Sequence, residues 1–278
     1  MDSILVQEVS LSLREIVKRI HLFELMDLDW FPKILRTGMT RYLNCLHTVI
    51  GTAEILSTVL EEIVERTGQT HIYDFCSGSG GPIVDAVALL RERKNQNLQL
   101  ILSDLYPDLD AFEKLKERYD FVSYIPSAQN VCSAYDSQPG ICTLISSFHH
   151  LYPEEATAVL QNLTSEHHHI CIFEISDNAF PIWLWWLAII PAFVMTFFLT
   201  LFIRPIRFTQ LFFTYCVPIL PFCIAWDGAV SNARTYTKQD LETLIASFPN
   251  YHWEILELEN KTPSKMLCLV GSPKPIEI

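Results

Sequence analysis

Between residues 70 and 174 short apolar runs alternate with amphipathic ones, and this alternation narrows the possible folds more than any other feature of the chain. His71-Ile72-Tyr73-Asp74-Phe75 reads as a strand, 81–91 as a helix and 98–103 as a second strand. A helix over 109–118, strands over 121–125 and 141–146, a helix over 153–165 opened by Pro153, and a strand over 169–174 follow. Strands this short, separated by helices, pair in parallel under helices on both faces. The expected class is therefore α/β with a doubly wound sheet. The theme resumes in a helix over 237–247, capped by Thr237 with Asp240 three residues on, and in strands over 251–257 and 266–271.

The first strand runs into Asp74-Phe75-Cys76-Ser77-Gly78-Ser79-Gly80-Gly81-Pro82 and then a helix. Small residues in such a turn let backbone approach a ligand closely. The helix N-terminus adds N–H donors and a partial positive charge. The second strand ends in Ser103-Asp104, 24 residues past Gly80, where a carboxylate suits the two hydroxyls of a ribose. A nicotinamide-dehydrogenase fingerprint, G-x-G-x-x-G, would place its third glycine at Ile83, so that reading is disfavoured.

On these residues the chain resembles the class I S-adenosylmethionine-dependent methyltransferases, over roughly 70–178 and 228–272. Their first motif, acid-x-Gly-x-Gly-x-Gly, is matched by Asp74, Gly78 and Gly80, with Cys76 where the first glycine stands. The resemblance implies a Rossmann-like sheet and S-adenosylmethionine as cofactor. It implies a cofactor site of Asp74, Cys76, Ser77, Gly78, Gly80, Asp104 and Leu105. Asn130 takes the place of the acid that meets the adenine amine, and Ser147 lies in the fourth motif, Thr143 to Leu151, where cofactor and substrate meet. The final helix–strand–strand unit is similar to the family's closing antiparallel hairpin. A narrower likeness, to uncharacterised membrane-associated bacterial members, rests on Trp30-Phe31-Pro32, Phe148-His149-His150 and Trp226-Asp227-Gly228 and brings no substrate with it.

His149 and His150 leave the fourth strand at the carboxyl edge, where open α/β sheets bind ligands. Imidazole suits a general base for a hydroxyl or amine acceptor, and these two are the catalytic candidates; capping or cofactor contact is the alternative. Trp30, Phe31, Tyr42, Glu174 and Asp227 are the candidates for substrate contact, against packing for the aromatics and capping or ion pairing for the acids. His167-His168-His169 reads as a surface turn, because adjacent side chains diverge and no acid or cysteine cluster joins them; no metal is expected. None of the eight cysteines forms a C-x-x-C pair, which suits reduced, buried thiols.

After the fifth strand the pattern breaks. Residues 180–203 and 208–226 contain no charge, and only Arg204-Pro205-Ile206-Arg207 separates them. Each run approaches the ~20 residues needed to cross a bilayer. A membrane hairpin, a hairpin dipping into one leaflet, and a buried pair closing an apolar pocket all fit. Trp183, Trp185 and Trp186 read as an interfacial belt, whereas Arg204 and Arg207 beyond a spanning helix would run against the positive-inside tendency. The expected organisation is an N-terminal helical lid over 1–68, a catalytic domain over 69–178 and 228–278, and the membrane-associated insertion over 179–227. With a formal net charge of -12, the chain has no use for phosphate backbones, so nucleic acid is not an expected partner. Met1-Asp2-Ser3-Ile4 is no secretory signal, so the expected location is the membrane with the catalytic domain facing the cytoplasm. The expected function is methyl transfer to oxygen or nitrogen of a small lipophilic or amphiphilic acceptor at the lipid bilayer. A membrane-anchored scaffold with a degenerate fold is the alternative: Cys76 and Asn130 favour it, and the retained Asp74, Gly78, Gly80 and Asp104 oppose it.

Overall fold

The computed structural model describes residues 19–94, 97–133, 139–178, 181–260 and 265–274. The first 18 residues of the expected helical lid, and the start of the first uncharged run at Phe180, lie outside the described residues. In chain order the elements are α1 (Lys33–Ile50), α2 (Thr52–Thr67), β1 (His71–Phe75), α3 (Gly81–Lys94), β2 (Gln99–Leu102), α4 (Leu109–Arg118), β3 (Val122–Tyr124), β4 (Ile141–Ile145), α5 (Pro153–Ser165) and β5 (His169–Glu174). There follow α6 (Ile189–Thr200), α7 (Phe208–Leu211), α8 (Ile219–Arg234), α9 (Lys238–Ile245), β6 (Tyr251–Leu258) and β7 (Met266–Pro273). They divide into two compact units, one holding Thr52–Asp177 and Tyr236–Ile278, the other Arg19–Gly51 and Asn178–Thr235.

The first unit is a seven-stranded sheet in the order β3-β2-β1-β4-β5-β7-β6. Strands β1 to β5 run parallel, and β7 is antiparallel to both β5 and β6. This is the doubly wound sheet expected from the alternation, and the Rossmann-like one that the resemblance implies. β4 and β5 are apolar along nearly their whole length, as strands covered on both faces must be. Leu144, Ile170, Ile172, Leu267 and Leu269 of the sheet join Val159, Leu160, Leu163, Leu241 and Leu244 of α5 and α9 in one core, with Phe148 and Tyr236 among them. The helix starts follow local chemistry. Pro153 opens α5 where an N–H would be unsatisfied anyway. Thr237 and Asp240 form a reciprocal capping box on α9.

The histidine run departs from its expected place on a surface turn. Only His167 occupies one. His168 is buried, its Nδ1 accepting the Gly140 N–H at 3.3 Å, and His169 is already the first residue of β5. The strand begins two residues after a left-handed His167, so the chain has already left the surface turn when it reaches His168 and His169.

The second unit is built on α1, α6 and α8. Leu35, Met39 and Tyr42 recur at helical spacing on α1 and pack with Phe31, Leu199, Ile203, Leu220 and Ile224. Beside this apolar core, apolar residues also cover part of its surface. Thr196, Thr200, Gln210 and Thr214 are buried, with Thr200 Oγ1 3.5 Å from Thr214 Oγ1, while Phe198, Phe202, Phe208 and Phe222 are each more than half exposed. Ile182–Thr200, a 3-10 turn leading into α6, is the one helix among the described residues long and apolar enough to cross a membrane by itself.

The second uncharged run is not one straight helix. A π-helical turn, Phe212–Cys216, follows α7, and the path bends by 84° before α8 begins at Ile219. Pro218 at the break cannot continue the helical hydrogen bonding. Pro191 and Pro221, by contrast, fall in first turns, where no intrahelical donor is needed. α8 outlasts the apolar run because its two charged residues find partners. Asp227 accepts the Leu25 and Met26 N–H groups at 2.7 and 3.1 Å, and Arg234 pairs with Glu24 at 3.0 Å and Asp27 at 3.2 Å.

Candidate active site

The sheet presents its carboxyl edge where β1, β2 and β4 end, and hydrogen bonds tie these ends into one platform. Asp74 is 2% exposed, and its Oδ1 accepts the Thr143 hydroxyl of neighbouring β4 at 2.6 Å. Its carbonyl accepts from Ser103 N and from the Ser77 and Ser103 hydroxyls. Burial raises the Asp74 carboxyl to about 7, against donation from Thr143 and Ser77. Ser77 is likewise a structural member, its N–H donating to Ser103 O at 3.0 Å.

The turn after β1 winds through left-handed backbone at Cys76 (φ 56), Gly78 (φ 54) and Gly80 (φ 98). Cys76 therefore does adopt the conformation for which a glycine would be expected, as a non-glycine residue at a strained φ. Burial, then Asp104 and Asp74, push its thiol up to about 12, so it stays protonated and is no nucleophile at neutral pH. The two glycines serve differently. A Cβ on Gly80 would meet Leu115 Cδ1 at 2.4 Å, whereas nothing lies within 4 Å of one on Gly78. Gly80 is a packing glycine, and Gly78 leaves an open face for a ligand.

Asp104 closes this turn against β2. Its Oδ2 accepts the Gly78 N–H and its Oδ1 the Tyr106 N–H, both at 2.8 Å. A carboxylate has about four lone-pair sites, so two remain for a ribose diol. Leu105 is exposed beside it. The Asp104 carbonyl accepts from Gln129 N at 2.8 Å, which brings the loop after β3 to the same edge. Asn130 sits on that loop, exposed, with its side-chain oxygen accepting Cys132 N at 2.9 Å in a local turn. Ser147 is buried at the end of β4.

β4 exits into a 3-10 turn, Phe148–His150. There His149 N donates to Glu174 Oε1 at 3.0 Å, and His149 Nδ1 lies 2.9 Å from Glu174 Oε2. Both residues are buried. Against a carboxylate Nδ1 is the donor, so the ring presents Nε2 as its acceptor. Glu174, a candidate for substrate contact, is thus bound two-pronged to the candidate base. β5 lies beside β4, so Glu174 and His149 leave the same edge one strand apart. The His150 ring lies against that of His149, tilted by 35° with centroids 4.3 Å apart. Of the remaining candidates, Trp30 is exposed, Phe31 and Tyr42 lie in the core of the second unit, and Asp227 holds the turn at Leu25 and Met26.

No family model matches the sequence, and no curated protein matches it. Among solved structures the chain is similar to the CMeT domain of the citrinin polyketide synthase, at 15% identity over 80% of this chain and 52% of the other, with a TM-score of 0.51. It is also similar to a protein of Nostoc punctiforme assigned as an O-methyltransferase, at 12% identity over 95% of this chain and 68% of the other, with a TM-score of 0.52. The chain spans about half the length of the first of these, 52%. At such identities the likeness is one of fold. With β7 inserted antiparallel between β5 and β6 and a glycine turn joining β1 to its helix, this chain has the class I methyltransferase fold.

Proposed function

We propose that the protein transfers a methyl group from S-adenosylmethionine to an oxygen or nitrogen of a small lipophilic acceptor, working at a membrane surface from its cytoplasmic side. The observation that carries the chemistry is the pairing of Asp104 with the open Gly78 turn. Two lone-pair sites on Asp104 would take the ribose hydroxyls, and the unfilled space at Gly78 admits a ligand against the backbone. S-adenosylmethionine bound there would supply an electrophilic methyl on a sulfonium centre. His149 would accept the acceptor's proton at Nε2 as the methyl arrives, with Glu174 fixing the tautomer and balancing the imidazolium. Positioning carries much of such an in-line transfer, so the rigid pairing counts as much as the basicity.

What supports the membrane reading is the exposed apolar surface of the second unit, where Phe198, Phe202, Phe208 and Phe222 are each more than half exposed. A dipping hairpin fits better than a spanning one, because the second apolar run is bent by 84°. The decisive experiment is calorimetric titration of the detergent-solubilised protein with S-adenosylmethionine and S-adenosylhomocysteine. Wild type is expected to bind at micromolar concentration. Asp104→Ala should lose roughly 2–4 kcal/mol of affinity, through two charge-assisted hydrogen bonds. Absence of binding to folded wild type would leave a scaffold with a methyltransferase fold.

A further inference from the structure

Where the two apolar runs meet, within the unit formed by Arg19–Gly51 and Asn178–Thr235, lies a cavity of about 260 Å³. Arg41, Arg207, Gln210, Thr37, Thr209 and Leu220 line it. Gln210 is 4% exposed, and its Nε2 has no hydrogen-bond partner among the described residues. Arg41 donates from Nη2 to the Pro205 carbonyl, while its buried Nη1 also lacks a partner among the described residues. Arg207 brings a second guanidinium. Burial, then the Arg207 charge, hold the Arg41 guanidinium below its ordinary value.

The lining is rich in donors and contains no carboxylate. Native interiors seldom leave buried donors unsatisfied. An oxyanion answers several donors at once and suits planar guanidinium groups in particular. The surroundings point the same way. In a chain of net charge -12, residues 30–53 and 178–226 contain no Asp or Glu, yet they carry Lys33, Arg36, Arg41, Arg204 and Arg207. The volume falls just below the ~300–1,000 Å³ of pockets that enclose a whole small molecule, so it fits a headgroup rather than a complete amphiphile. Ile34, which lines the cavity, and Ile206 and Phe208, next to lining residues in the chain, are exposed as they would be among acyl chains.

We propose that this cavity binds the phosphodiester headgroup of an anionic membrane lipid, with Arg41 and Gln210 as the buried donors and Arg207 as the outer charge. The source of the ligand rests on the membrane reading above; the oxyanion chemistry does not. The test is flotation of the full chain with phosphatidylcholine vesicles, with and without phosphatidylglycerol. Wild type should bind both, and phosphatidylglycerol should tighten binding roughly tenfold. Arg41→Gln, Arg207→Gln and Gln210→Leu should each keep phosphatidylcholine binding and the wild-type melting temperature but lose the gain. Arg204→Gln, which removes the same charge outside the cavity, should keep it. No binding to phosphatidylcholine overturns the membrane reading. Binding without a phosphatidylglycerol gain, or a gain lost equally in Arg204→Gln, overturns this site. Inorganic phosphate titrated into the solubilised protein separates the sources. Saturable binding lost in Arg41→Gln, without any phosphatidylglycerol gain, overturns the lipid assignment in favour of soluble phosphate.

Discussion

Gly78 and Gly80 stand two residues apart in one turn, both left-handed, and replacing each with alanine should separate packing from binding. At Gly80 the new methyl would sit 2.4 Å from Leu115 Cδ1 and 3.2 Å from Val84 Cγ2, at φ 98. Cδ1 is the free end of a half-buried Leu115 side chain and can swing aside, so the overpacking costs only about 1 kcal/mol, and a left-handed Cβ adds about 1–2 kcal/mol. The reduced freedom of the unfolded chain returns about 0.5–1 kcal/mol. The net loss is therefore about 2 kcal/mol. At Gly78 nothing is struck, so only the conformational cost remains, a net loss of about 1 kcal/mol. For a domain of this size 1 kcal/mol shifts the melting temperature by roughly 2–4 °C. Gly80→Ala should then melt roughly 4–8 °C lower and Gly78→Ala roughly 2–4 °C lower, by circular dichroism in detergent. Cofactor affinity should run the other way. The Gly78 methyl fills the ligand's side of the turn and should weaken S-adenosylmethionine binding at least roughly tenfold, about 1.4 kcal/mol, although the variant stays folded. Equal melting losses at the two positions, or unchanged cofactor affinity in Gly78→Ala, would refute this division of roles.

Further outcomes follow from the same site. Asp74 is held protonated in the fold up to about 7, whereas the unfolded chain ionises near 3.8. Stability is then full below that value and falls as pH rises through the interval, by about 4 kcal/mol at 1.36 kcal/mol per unit. Asp74→Asn should remove this slope, so wild type minus variant melting curves from acid to pH 8 that stay flat would rule it out. Glu174→Gln should cut turnover tenfold or more, roughly the lower range for a disturbed general base, while the cofactor dissociation constant holds. A parallel loss of cofactor affinity would count against its orienting role. Thr237→Ala removes a reciprocal cap from α9 and should cost about 1 kcal/mol in urea unfolding.

What could be read from the sequence is what depends on neighbours in sequence. The β1 turn, its acid and the acid after β2 each declare themselves within a few residues, whereas the hydrogen bond that joins Asp104 to Gly78 is seen only in the structure. The Thr237 box is equally local. The His149–Glu174 pair was hidden because it needs the order of strands: 25 residues apart, the two meet only because β4 and β5 are neighbours. A histidine and a glutamate ending consecutive core strands are a signal that could have suggested it. His168 misled because polarity alone points outward, whereas a backbone N–H from Gly140 makes its burial tolerable. The cavity at Arg41 and Gln210 left no trace, since its walls come from α1 and from the segment 207–220, which only packing brings together.

The place of β7 bears on how the molecule is made. β5 finds its antiparallel neighbour only when Ile170 meets Gly271, roughly 100 residues further along the chain, while β6 and β7 can zip locally as a hairpin. At about 5–20 residues per second, some seconds pass with the β5 edge bare. The whole greasy segment leaves the ribosome during that interval. On the membrane reading proposed above, such a nascent chain reaches a bilayer before its sheet is closed, so a variant too slow to lodge there should be lost to aggregation and proteolysis long before any defect shows in its chemistry.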